Sequence, residues 1–149
     1  MQKLIIIFLI IFFNISQYSQ AKDEYFMTLR NDKVNLRQGP SKDYPIKIFY
    51  KKKFLPVLVE DTSYNFRKIR DHENNSGWIH ISQLSKKKAA IVIGKDLIMF
   101  KNPTVFSNPI VILKEGRLVK INKCKETWCK VSSDDFKGWV KNENLWGLF

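Results

Sequence analysis

The side chains that could perform chemistry are few and lie apart along the chain. Two histidines, His72 and His80, lie in its first half, and two cysteines, Cys124 and Cys129, lie in its second half. Nucleophilic catalysis needs a nucleophile beside a base, and this spacing places no such pair together. The adjacent acids of the segment SSDDFKG have the surroundings of a turn and not of an acid pair. The sequence therefore predicts no catalytic residues and no enzyme activity.

The first 21 residues are typical of an export signal. Lys3 supplies a positive charge, an apolar run of 10 residues extends from Leu4 to Phe13, and SQA ends the segment with small residues at a cleavage site. We predict cleavage between Ala21 and Lys22, export to the periplasm or cell envelope, and no membrane span in the mature chain. A permanent anchor is the alternative, but the run is shorter than the roughly 20 residues that span a bilayer.

The spacing of Cys124 and Cys129 is compatible with a disulfide, a redox pair or half of a zinc site. Zinc needs about four ligands, and two are missing nearby. A redox pair needs a helix N-terminus to lower a thiolate pKa, whereas CKETWC is typical of a strand end, a turn and the next strand. For an exported chain we predict a disulfide, with no metal and no cofactor.

The chain is strongly basic, with 26 Lys and Arg against 14 Asp and Glu and a net charge of +12. Losing Lys3 with the signal leaves 25 against 14, or +11. Two lysine clusters occur, at residues 51–53 and 86–88. No nucleic-acid motif is present, so an anionic envelope surface is the partner that this charge favours. Alternatively, the lysines keep a β-rich protein soluble and protect its edge strands.

The mature chain contains two copies of one unit, because GWIH at residues 77–80 returns as GWVK at residues 138–141. Aligning the halves pairs Leu36-Arg37 with Met99-Phe100, and NFRKI with TWCKV. We predict a first module at residues 22–85 and a second module at residues 86–149. The linker SKKK is short, so the two modules should touch.

Each copy consists of short segments rich in β-branched and aromatic residues, separated by turns. We predict hairpins from YFMTLR with VNLR and from AAIVI with LIMF, then a Pro-containing loop, two paired strands and the Gly-Trp strand. Alternation in VNLR places Val34 and Leu36 on one face. About five strands in each copy favour a small partly open barrel.

The segments VNLRQGPS, WCKV, and GWV followed by LWG resemble the bacterial SH3-like domain, in a tandem form found in small exported proteins. The resemblance extends from about Tyr25 to Gly147. It implies an all-β fold of two tandem small SH3-like partly open β-barrels, and a binding module without catalytic residues. Members of the family are associated with cell-wall peptides, peptidoglycan or envelope proteins, or with targeting an attached enzyme.

The first copy keeps the fuller Leu-Arg-x-Gly-Pro-Ser motif, so we place the ligand there. The second copy, which carries the predicted disulfide, is its structural partner in this interpretation. An aromatic groove with an arginine suits an extended peptide or a sugar face with a carboxylate. The predicted ligand-binding residues are Arg37, Tyr44, Tyr50, Tyr64, Phe66 and Trp78. We also expect at least one of the rings of Trp78 and Trp139 to cap its barrel core.

These features predict an exported, non-catalytic binding module that recognises peptidoglycan, a wall peptide or an envelope protein. One alternative is a structural partner in an envelope protein complex, held through exposed edge strands or the module interface. A less favoured alternative is a small thiol-dependent enzyme.

Overall fold

The computed structural model of the chain describes residues 23–148. The predicted signal segment and its cleavage site at Ala21 and Lys22 lie outside the described residues. Within residues 23–148, no helix is long and apolar enough to cross a membrane.

The described chain is all-β, with seven strands in each half. The first module contains β1 (Tyr25–Leu29), β2 (Val34–Arg37), β3 (Ile46–Tyr50), β4 (Pro56–Ser63), β5 (Phe66–Arg70), β6 (Ser76–His80), a 3-10 turn (Ile81–Gln83) and β7 (Leu84–Ser85). The second module contains β8 (Ala89–Val92), β9 (Leu97–Phe100), β10 (Pro109–Leu113), β11 (Leu118–Lys125), β12 (Trp128–Ser133), β13 (Phe136–Lys141) and β14 (Leu145–Trp146).

The two modules have the same strand order. The first sheet runs β3-β2-β6-β5-β4-β1-β7, and the second runs β10-β9-β13-β12-β11-β8-β14. All the strand pairs are antiparallel, and the edge strands β3 and β7 do not pair with each other within the described chain. The prediction of two tandem SH3-like, partly open barrels is therefore confirmed.

Two predicted hairpins are wrong. Strand β1 pairs with β4 and β7, while β2 pairs with β3 and β6. Their counterparts β8 and β9 are separated in the same way. The turn between them is a corner of the barrel, because Leu29 and Val34 on its two sides both point into the core. Strands β3 and β10, which follow the Pro-containing loops, were not predicted.

The inward faces of the strands follow the predicted alternation. Val34 and Leu36 are fully buried, whereas Asn35 and Arg37 lie on the other face of β2. The predicted pairing of the two strands after the Pro-containing loop is also correct, since β4 pairs with β5 and β11 with β12. Leucines Leu84 and Leu145, which close each copy, are buried and pair with the first strand of their module.

The glycine of each Gly-Trp pair lies against the backbone of the neighbouring strand. A Cβ at Gly77 would lie 2.6 Å from the Arg37 carbonyl oxygen, and one at Gly138 would lie 2.6 Å from the Phe100 carbonyl oxygen. Only glycine allows this approach. The following tryptophan then points to the outer face and is half-buried in both copies. The expectation that one of these rings caps a core is therefore wrong.

The modules touch, as predicted, and they share one strand. All four residues of β8 are buried. Ile91 packs in the first hydrophobic core, whereas Ala90 and Val92 pack in the second. A strand that is covered on both faces needs a continuous apolar sequence, which is what AAIV provides.

Candidate ligand-binding surface

The outer face of the first module carries a row of cationic and aromatic side chains across three strands. Arg37 on β2 lies opposite Trp78 on β6, which in turn lies opposite Lys68 on β5. All three residues are half-buried. Side chains directly opposite each other on neighbouring strands lie about 5 Å apart at their Cβ atoms, so the row forms one surface.

The loop of residues 38–45 is held next to this row by Arg37. The Arg37 Nη1 atom donates hydrogen bonds to the carbonyl oxygens of Lys42 and Tyr44, at 3.0 and 2.8 Å. The Gln38 amide closes the base of the loop on the Pro45 carbonyl oxygen at 3.1 Å. Because two of the five guanidinium N–H donors can be accounted for by these bonds, the others remain for a bound carboxylate.

Tyr44 forms the outer wall of the same loop. Its ring lies over Gly39, where a Cβ would come within 2.6 Å of three ring carbons, so the glycine lets the ring lie flat against the loop backbone. The Tyr44 residue is still 47% exposed. Arg37 therefore connects Tyr44 in the loop with Trp78 in the row, and the binding of a ligand by these three residues stays a prediction.

Two predicted ligand-binding residues lie in the protein interior instead. Tyr50 is 9% exposed, and its hydroxyl donates to Asp71 Oδ2 at 2.8 Å. Burial raises the pKa of Tyr50 far above its usual range, and the hydrogen bond to Asp71 adds to this rise. Phe66 is 8% exposed and packs edge-on against His80, with ring centroids 5.1 Å apart. Neither ring offers a surface to a ligand, so both are removed from the candidate site.

Tyr64 is exposed but lies away from the row. It occupies the turn between β4 and β5, with a positive φ of 46°, and 95% of its surface is accessible. Lys68, the nearest member of the row along the chain, is four residues away. At about 3.3 Å per strand residue, Tyr64 and Lys68 are separated by roughly 13 Å along the chain. A ligand of several units could reach both, but a single sugar or side chain could not.

The second module has a matching face, which was not predicted. Phe100, Trp139 and Lys130 are paired in the same register as Arg37, Trp78 and Lys68. Trp128 packs edge-on against Phe100 at 5.8 Å, and Lys123 Nζ lies 5.5 Å from the centre of the Trp139 ring. Alternation in LIMF and GWV was a usable signal, since Met99, Gly138 and Val140 point inward and leave Phe100 and Trp139 outside.

A model of the bacterial SH3 domain matches the chain twice, at residues 30–86 and 94–147. The chain belongs to the bacterial SH3 domain family. This is a family of binding domains, commonly cell-wall binding modules. The shared register of the two SH3 modules, with Arg37 at the position of Phe100, agrees with the two matches.

Two solved structures resemble the tandem SH3 chain in outline. They are NlpC2 and NlpC1 from Trichomonas vaginalis, at 11% and 12% sequence identity and with TM-scores of 0.38 and 0.37. The matches cover 83% and 87% of this chain but 48% of either other chain. The chain therefore spans about half the length of these proteins. A search of curated proteins finds no match.

The two cysteines of the SH3 chain are bonded to each other. Cys124 and Cys129 lie directly opposite each other on β11 and β12, with their Cα atoms 4.0 Å apart, and form a disulfide. With both sulfur atoms in this bond, no thiolate is available as a nucleophile. The alternative of a thiol-dependent enzyme therefore loses its reactive group.

The remaining candidates for chemistry make contacts that are structural, except that the Nδ1 atom of His72 is buried without a hydrogen-bond partner within the described chain. The Nδ1 atom of His80 lies 2.7 Å from Ser82 Oγ at the start of the 3-10 turn. The ring of His72 lies 6.1 Å from that of Trp146. Asp134, in a turn as predicted, accepts a hydrogen bond from Arg117 at 3.1 Å. Across residues 23–148, no three Cys, His, Asp or Glu side chains are grouped as a metal site requires.

Proposed function

We propose that this chain is an exported, non-catalytic protein that binds peptidoglycan or a wall peptide through the outer face of its first module. The observation that carries the proposal is the group formed by Arg37, Tyr44 and Trp78, in which Arg37 lies opposite Trp78 and donates hydrogen bonds to the Lys42 and Tyr44 carbonyl oxygens of the loop that it holds in place. The bacterial SH3 family, the export-type N-terminus and the disulfide support an envelope location.

The chemistry of the group suits a polymer that combines sugars, peptides and carboxylates. The half-buried Trp78 and the exposed Tyr44 provide flat apolar area for a sugar face or an extended peptide. The remaining donors of Arg37 can pair with a peptide carboxylate. Since the loop is already fixed by hydrogen bonds in the free protein, little ordering is needed on binding.

The alternative of a protein partner is favoured by a different surface. In the second module, β10 is an edge strand, and Ile112 on it pairs with Ile98 on β9. Both isoleucines are exposed, as are Val105 and Phe106 in the preceding loop. An exposed apolar edge can accept a strand or an apolar face of another protein.

A sedimentation assay with purified peptidoglycan tests the proposal. We expect Tyr44→Ala and Trp78→Ala each to weaken the affinity for peptidoglycan about 5-fold, a loss of about 1 kcal/mol that is usual for one aromatic contact. Phe136→Ala is the matched control for Tyr44→Ala, because Phe136 is similarly exposed but lies on β13 of the second module. Wild-type binding by both first-module variants would exclude this surface.

The same preparation separates the two candidate functions. Ile112→Lys should leave peptidoglycan binding unchanged. If the chain does not sediment with peptidoglycan but captures one envelope protein, and Ile112→Lys abolishes that capture, the protein-partner function replaces the proposal.

A further inference from the structure

Three lysines from different parts of the chain converge on one phenylalanine where the modules meet. The Nζ atoms of Lys53, Lys87 and Lys120 lie 5.4, 5.4 and 5.0 Å from the centre of the Phe54 ring. Lys53 belongs to the first module, Lys87 to the linker and Lys120 to β11 of the second module. No pair of these ammonium groups can be farther apart than 10.8 Å, twice the 5.4 Å distance.

This concentration of charge is not neutralised within the described part of the chain. The salt bridges formed there use other cations, and none involves Lys53, Lys87 or Lys120. The separations are close to the Debye length of about 8 Å at physiological ionic strength, so salt screens the repulsion only in part. An anion bound among the three groups would relieve this repulsion.

The backbone holds the cluster in place. Phe54 adopts a left-handed conformation, with φ of 65°, that is unfavourable for a bulky residue. Its amide donates to the Leu29 carbonyl oxygen at 2.9 Å. Two hydrogen bonds hold the linker. The buried Thr28 hydroxyl of β1 donates to the Lys87 carbonyl oxygen at 2.9 Å, and the Ile121 amide of β11 donates to the Lys88 carbonyl oxygen at 3.0 Å. A bulky residue keeps a left-handed conformation such as that of Phe54 only where the surrounding structure holds it there.

The cluster joins two cavities. A cavity of about 550 Å³ is lined by Lys52 from the first module and, from the second, by Lys114, Arg117 and Lys120 together with the acidic Glu115 and Asp134. Lys114 and Arg117 form salt bridges with Asp96 and Asp134, so the cations that this cavity contributes to the basic surface are Lys52 and Lys120. A second cavity, of about 400 Å³, is lined by the linker residues 86–88 and by Lys123. Because Lys120 contributes to the first cavity and Lys87 to the second, the Phe54 cluster connects them into one basic track, which we call the seam.

We propose that the seam is a binding site for a linear phosphate polymer that carries no bases. A polymer with regularly spaced phosphates can contact both cavities and the cluster at once, whereas a single phosphate can neutralise only part of the track. The inference is independent of the proposed peptidoglycan surface, because it uses none of the residues Arg37, Tyr44 and Trp78.

The shape and chemistry of the seam favour this polymer over other polyanions. Proteins that bind single-stranded nucleic acids combine phosphate contacts with bases that stack on open aromatic rings. Here the Phe54 ring is surrounded by ammonium groups, and the edge of Phe26 in the second cavity is packed against Trp146 at 4.8 Å. A lipid surface is flat, whereas the seam consists of two cavities with a bridge between them.

Binding of linear inorganic polyphosphate to the full chain, followed at several salt concentrations, tests the inference. The triple variant Lys53→Gln, Lys87→Gln, Lys120→Gln should bind at least 10-fold more weakly. Each phosphate contact contributes about 0.7 to the slope of log K against log salt for a flexible single strand, so the slope should fall in magnitude by about 2. Inorganic phosphate alone should bind far more weakly than the polymer.

The control variant Lys42→Gln, Lys101→Gln, Lys137→Gln removes the same charge from exposed lysines that line neither cavity. It should keep the wild-type slope and affinity. If the two triple variants lost the same affinity for polyphosphate, the effect would be one of overall charge, and the proposed site would be excluded. Tighter binding to single-stranded DNA of equal charge, or to phosphatidylglycerol vesicles, would overturn the assignment to a base-free polymer. Circular dichroism spectra matching the wild type would show that both variants fold.

Discussion

Gly138 and Gly77 show at the scale of single residues why Gly-Trp occurs twice. In each module the glycine lies where the neighbouring strand crosses most closely, and the carbonyl oxygen of that strand occupies the space of a Cβ. The next residue must then point outward, so a tryptophan there adds to the outer surface and not to the core. One dipeptide thus fixes both the approach of two strands and the position of an outer aromatic ring.

Gly138→Ala should destabilise the chain by roughly 2 kcal/mol or more, because overpacking against a backbone atom cannot be relieved by a side-chain rotation. Gly116→Ala is the control: Gly116 has φ of 79° but open space around it, so its cost should be only the backbone strain of about 1–2 kcal/mol. Urea unfolding measures both. A Gly138→Ala loss no larger than that of Gly116→Ala would contradict the close approach.

At the scale of elements, the β11–β12 hairpin depends on its disulfide. The end of β11 that carries Cys124 is exposed, and a bulge interrupts the register between Ile121 and Lys123. On the β11 side the hairpin therefore has few buried contacts near its turn, and the disulfide connects this exposed strand end to Cys129, which is fully buried. The equivalent β4–β5 hairpin has a longer buried stretch and no cysteine.

Reduction of the disulfide should lower the melting temperature. Closing a loop of about six residues contributes about 2 kcal/mol in the chain-entropy model, which corresponds to roughly 4–8 °C for a chain of this size. Scanning calorimetry with and without reductant measures the shift. The Cys124→Ser, Cys129→Ser variant, which has no bond to lose, should not respond to reductant. A fully reduced wild type that melts at the oxidised temperature would contradict the prediction.

At the scale of the whole molecule, the modules are joined by packing as well as by the linker. Ile91 of the second module completes the first hydrophobic core, and Trp146 packs on Phe26 across the interface. Gly147, which follows Trp146, lies against Ala89 and Pro56, with no room for a side chain. These contacts hold the two halves of the seam at a fixed separation, so binding there depends on the interface.

Trp146→Ala should uncouple the modules. The Phe26–Trp146 pair stabilises the interface by about 1 kcal/mol more than the burial of its apolar area does, and the variant loses this stabilisation. We expect the van't Hoff enthalpy of melting to drop below the calorimetric enthalpy, as the two modules begin to unfold separately. Trp139→Ala removes an equally half-buried ring away from the interface and should keep one transition. A single cooperative transition in both variants would contradict the coupling.

The sequence by itself determined what is periodic or local. The repeat of Gly-Trp, the alternation of Val34 and Leu36, and the cysteine pair across a short turn each depend on neighbours within a few residues, so they could be predicted. The seven-stranded order could not, because an alternating strand fits equally well against several partners. Only closure of the barrel decides that β1 pairs with β4 and β7.

Tertiary structure also decided which aromatic residues are available to a ligand. Tyr50 and Tyr44 look alike in the sequence, yet one lies in the core with Asp71 and the other covers a loop, since burial depends on segments far away in the chain. The seam has the same origin. Lysines at positions 53, 87 and 120 converge on one ring only because the two barrels pack against a shared strand.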